Sequence, residues 1–120
     1  MNVIKEIEKG IKRCQEILTY DLENAKKYKV QYREEVGVLI SANEKFIDEK
    51  SKELEAWCEA SETVWSLPQE GIFLRIKRKV LMAVTNHYIS NISGEMARAG
   101  IAREKLDEIK SRFDGFIYLT

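Results

Sequence analysis

Few side chains in this sequence could do chemistry. His87 is the single histidine, and histidine is the one side chain whose ordinary pKa lies near neutrality. A catalytic role needs a nucleophile beside it, and no Ser or Cys stands at local spacing. Cys58 with His87 is the one conceivable dyad, and nothing in the sequence supports it. His87 falls on an apolar helical stripe, so a partly buried packing histidine is expected. Cys14 and Cys58 stand far apart, each within a helical apolar pattern. They read as buried free thiols rather than as a disulfide. One histidine and no close cysteine pair leave zinc without a ligand set. Glu44, Asp48, Glu49, Glu53, Glu55, Glu59 and Glu62 could in principle assemble a di-metal centre. Such centres in bundles need Glu-x-x-His pairs, and the residue three before His87 is Val84. These acids therefore read as a solvated face. No glycine-rich phosphate loop is present. The expectation is no enzyme, no metal and no cofactor.

The stretch RIKRKVLMAVTNHY, residues 75–88, crowds four basic side chains into five positions. At about 100° per residue on a helix, Arg75, Arg78 and Lys79 share one face, while Lys77 falls on the apolar side. Three cations are too few for non-specific DNA binding. Their expected partners are the acidic middle of the chain or water. The rest of the stretch is apolar over an arc close to 200°. Phe73, Ile76, Val80, Ala83, Val84 and His87 form one stripe; Leu74, Leu81, Tyr88 and Ile92 form another. A helix that is apolar around more than half its circumference is either a central element or part of an interface.

Residues 92–111, ISGEMARAGIAREKLDEIKS, have the spacing of a helix-turn-helix, with Gly100 as the turn glycine and Leu106 and Ile109 as packing residues. The match weakens at Glu95, Met96 and Ala102. The second helix would also expose Glu104, Asp107 and Glu108 to phosphates. A small DNA-binding regulator using residues 92–112 is the alternative reading of function.

The elements that must position these residues are helices. Ile4, Ile7, Ile11, Cys14, Leu18, Leu22, Ala25, Tyr28 and Tyr32 recur every three or four residues, which predicts an amphipathic helix over about 2–35. Asp21 interrupts that stripe and marks a possible kink at Thr19–Asp21. Gly37 as a C′ glycine and Ser41-Ala42-Asn43-Glu44 as a capping box predict a break, then a second helix over 42–66. Val36, Ile40, Ile47, Leu54, Trp57 and Val64 keep helical spacing across that point, so one continuous helix is the competing reading. Ser66-Leu67-Pro68-Gln69 predicts the start of a third helix over 68–92. Ser93-Gly94 predicts an interruption and a fourth helix over 94–113, capped at Gly115. An apolar tail, 116–120, either folds back or docks elsewhere.

The chain has 120 residues and a net charge of zero, which gives no global attraction to nucleic acid or an anionic membrane. Charge is segmented. Residues 34–66 carry three basic and nine acidic side chains, and residues 67–92 carry four basic and one acidic. Adjacent antiparallel helices would match these signs. The N-terminus has no uninterrupted apolar run of the signal-peptide kind, and the cytoplasm is the default compartment. The predicted fold is all-α: an elongated antiparallel bundle of three or four helices in a single domain, with coiled-coil-like dimerisation open. The predicted function is a non-enzymatic protein–protein interaction module such as an adaptor, inhibitor or chaperone-like accessory protein. Its partner would be another protein or a second copy, not nucleic acid and not a membrane. Candidate contact residues are Trp57, Trp65, Leu67, Tyr28, Tyr32, Phe116, Ile117 and Tyr118. Arg75, Arg78 and Lys79 form the candidate basic face.

Overall fold

A computed structural model describes residues 2–118, and among these the fold is all-α. Helix α1 spans Val3–Tyr20, α2 Leu22–Lys27, α3 Lys29–Trp65 and α4 Ile72–Tyr118. Asn2 caps α1, its side chain accepting from the Lys5 amide at 3.5 Å. The interruption expected at Thr19–Asp21 falls at Asp21. Its carboxylate accepts from the Asn24 amide at 3.4 Å and so begins α2.

Two predicted breaks are absent. Helix α3 runs unbroken through Gly37 and Ser41, and α4 runs unbroken through Ser93-Gly94, Gly100 and Gly115. The reason is a sustained seven-residue pattern. In α3, Lys29, Tyr32, Val36, Leu39, Asn43, Phe46, Lys50, Trp57 and Val64 are all buried or half-buried at spacings that belong to one heptad series. In α4 the series runs Leu74, Arg78, Leu81, Thr85, Tyr88, Ile92, Glu95, Ala99, Ala102, Leu106, Ile109, Phe113 and Phe116. A heptad stripe keeps facing the same neighbour along a supercoiled helix. Burial along it outweighs the roughly 1 kcal/mol that a glycine costs a helix. Gly37, Gly94 and Gly100 face open space.

The third helix also starts later than predicted. Ser66 does not cap it: the hydroxyl donates backward to the Glu62 carbonyl at 3.1 Å and closes α3. Pro68, without an N–H, lies in the connection. Gly71 turns the chain into α4 with φ of 88°, a left-handed conformation that suits glycine.

The chain divides into two compact units, one of residues up to Ile47 together with those from Arg98 onward, the other Asp48–Ala97. In the first, α1, α2, the start of α3 and the end of α4 enclose one core. It contains Ile4, Ile7, Ile11, Cys14, Leu18, Val36, Phe46, Leu106, Ile109 and Phe113. Arg33–Asp114 at 2.6 Å and Asn43–Ala99 at 3.0 Å show α3 and α4 antiparallel there. Helix α1 lies antiparallel to α3, with Arg13 paired to Glu35 at 3.8 Å. It lies along α4 in the same direction, the shared clefts running from Glu8 and Arg98 to Leu18 and Ile109. Gly10 permits the close approach: a Cβ there would sit 2.7 Å from Leu39 Cδ1.

The second unit is a two-helix hairpin with a thinner core. Val64, Thr85 and Ile92 are its buried residues. Trp57 stacks on Tyr88 with ring centroids 4.4 Å apart. Lys50 bridges Glu53 at 3.0 Å and Glu95 at 3.1 Å, and these two hydrogen bonds hold its pKa above the ordinary lysine value.

Candidate interaction surface

The wide apolar arc of α4 divides in two. Leu74, Leu81 and Ile92 of the second stripe turn toward α3, as does the Tyr88 ring on Trp57. The first stripe is left uncovered. Phe73 is 79% exposed, Ile76 57%, Val80 56% and Val84 42%, and Ile72, Ala83 and His87 beside them are exposed. Phe73, Ile76, Val80, Ala83 and His87 follow the spacing 3, 4, 3, 4 along the sequence, which is that of a second heptad seam. Lys77 and Lys79 flank it, both exposed.

The predicted basic face has a different job. The Arg75 Nε donates to the Gln69 carbonyl at 3.2 Å. Arg78 donates to the Trp65 carbonyl at 3.3 Å, with its guanidinium 4.7 Å from the Trp65 ring centre. Arg75 and Arg78 therefore satisfy carbonyls within the connection and at the end of α3, in place of the expected acidic middle of the chain or water. Lys79 lines a shallow depression with Gln69, Ile72 and Ile76. Trp65 is 60% exposed even so, while Leu67 is half-buried in the connection.

The other predicted contact residues are mostly packed. Trp57 is the core plug of the hairpin. Tyr32 stacks on Phe113 at 5.6 Å, and Tyr28, itself exposed, meets Tyr32 edge-on at 6.4 Å. Phe116 meets Phe113 edge-on, and its carbonyl accepts from Lys29 Nζ at 3.2 Å. Ile117 is half-buried, and Tyr118 is exposed beneath the Arg33 guanidinium. Residues 116–118 thus continue α4, with Phe116 and Ile117 half-buried in the first unit and Tyr118 exposed, and the rest of the predicted tail, 119–120, lies outside the described residues.

Three further expectations change. His87 is exposed, with Asn91 at 3.2 Å from Nε2. Cys58 is an exposed free thiol, one position off the buried stripe, whereas Cys14 is buried. Burial, with Glu35 adding to it, pushes the Cys14 thiol pKa up. Residues 92–112 lie inside one helix, so Gly100 makes no turn and the helix-turn-helix geometry is missing. Arg98 pairs with Glu8 and Arg103 with Glu44 and Asp107, which ties both to carboxylates of this chain.

Among the described residues no group of three or more His, Cys, Asp or Glu side chains is placed to hold a metal ion. No helix among them is long and apolar enough to cross a membrane. Comparison with known protein families, with curated proteins and with solved structures finds no match.

Proposed function

We propose that this chain is a non-enzymatic protein–protein interaction module, of the adaptor, inhibitor or accessory type, whose contact surface is the uncovered seam of α4. The observation that carries this is the exposure of Phe73, Ile76 and Val80 at heptad spacing, with Val84 exposed beside them. Large apolar side chains scattered singly over a surface need no explanation, but a contiguous row marks a binding face. Ile72 and Trp65 extend the apolar area at the hairpin end, and aromatic anchors of this kind dominate many interfaces.

The test is capture from an extract of the native source on immobilised wild-type chain and on Ile76→Asp. A protein retained by the wild type and lost from the variant, with both chains equally helical by circular dichroism, supports the proposal. Equal retention by both chains contradicts it.

A further inference from the structure

Resting on that reading, we infer that the seam takes one amphipathic helix of a different protein, with acidic side chains along the flank that faces α4. In the first unit a third helix, α1, packs against α3 and α4, and α4 offers it Arg98, Ile101, Ala102 and Lys105. Steps of seven residues return to the same heptad position. Three steps back from Arg98, Ile101 and Lys105 stand Lys77, Val80 and Val84, and a fourth step from Ile101 reaches Phe73. Phe73, Val80 and Val84 are three of the uncovered apolar residues of the second unit, and Lys77 is exposed among them. On α3, Ala56, Ala60 and Thr63 stand three heptads beyond Glu35, Leu39 and Ala42. Glu35 pairs with Arg13 of α1, and Leu39 lies against Gly10 of α1. The second unit therefore repeats the register of a three-helix arrangement with only two helices present. Its α3 side is lined by small residues that leave space for a third.

Charge selects the kind of helix. In the first unit Glu8 of α1 neutralises Arg98. Lys77, the register equivalent of Arg98, lies in the stretch Gly71–Gly94, which contains four basic residues and no carboxylate. Among the described residues Lys77 is exposed and no ion pair to a carboxylate is seen, so an acidic partner helix would supply one. A second copy of the same seam would add Lys77 and Lys79 to an already basic face and supply no carboxylate from its own Gly71–Gly94 stretch. An anionic lipid surface would answer the charge, but it gives no reason for a 3, 4 spacing of the apolar residues, which is the spacing that holds another helix.

The test uses the full chain and two synthetic helical peptides of about three heptads each, with the same Leu/Ile seam. One carries Glu at the flanking positions and the other Lys. Fluorescence anisotropy reads their binding. The Glu peptide is expected to bind at least about tenfold more tightly than the Lys peptide, with the gap narrowing about threefold or more in Lys77→Glu. Val80→Asp should abolish binding while keeping the wild-type unfolding midpoint. Equal affinity for the two peptides overturns the acidic helix and leaves the interaction face standing. Glu-peptide binding that survives Val80→Asp overturns both. Failure of the Glu peptide to bind, with binding to phosphatidylcholine vesicles containing phosphatidylserine, overturns the helix in favour of lipid. A dimer in light scattering that Val80→Asp dissociates overturns it in favour of a second copy.

Discussion

Asn43 Nδ2 donates to the Ala99 carbonyl at 3.0 Å, from a side chain that is fully buried between α3 and α4. The amide belongs to the heptad seam, where an apolar residue would pack better, and small Ala99 leaves room for it. Its Oδ1 is buried with no hydrogen-bond partner among the described residues. A polar side chain at such a position fixes the register of two helices at the expense of stability. Asn43→Leu is expected to raise the unfolding free energy by about 1–2 kcal/mol, because it removes a buried unsatisfied oxygen. Urea denaturation measures this, and a loss of stability would show that the Asn43–Ala99 bond outweighs the unmet oxygen.

The continuity of α3 is open to a similar test at Gly37. Within a helix, and with open space where a Cβ would go, Gly37→Ala should stabilise by roughly 0.5–1 kcal/mol. At a helix end with positive φ the same change would destabilise. The sign of the shift in thermal midpoint therefore decides between one helix and two.

The thiols should separate by rate. Exposed Cys58 is expected to react quickly with a disulfide reagent. Cys14 should react only as fast as the first unit opens, because burial both shields it and disfavours its thiolate. The linkage has a definite sign. A thiol pKa raised by folding means that the folded state holds the proton more tightly. The stability from Cys14 is thus fully present below the ordinary thiol pKa and declines as pH rises through the raised one. Cys14→Ser should lose that alkaline decline, and an unchanged pH profile would refute the assignment.

The helical class was legible because α1 carries one clean stripe from Ile4 to Leu18, broken by Asp21 where the helix does break. The long helices were harder to read. Gly37, the Ser41 box and Ser93-Gly94 are local signals, each worth about 1 kcal/mol. The burial that overrides them depends on a partner strand of sequence some fifty positions away, as Asn43 and Ala99 illustrate. The arc from Phe73 to Ile92 could be seen to be too wide for one neighbour. Which half would meet α3 could not, since periodicity gives both stripes equal claim. That ambiguity misplaced His87. Tyr32 and Phe116, read as contact residues, pack against Phe113, a partner that only the folded chain brings to them.

The most direct measurement is the unfolding free energy of Val80→Asp beside that of Val36→Asp. The two valines are chemically alike, one in the uncovered seam of α4 and one with no exposed surface in the core of the first unit. Val80→Asp should fall within about 0.5 kcal/mol of wild type, while Val36→Asp, which buries a carboxylate, should lose more than about 3 kcal/mol. A loss at Val80 as large as that at Val36 would mean that the seam is already filled by the chain's own fold, and it would leave no surface there for a partner.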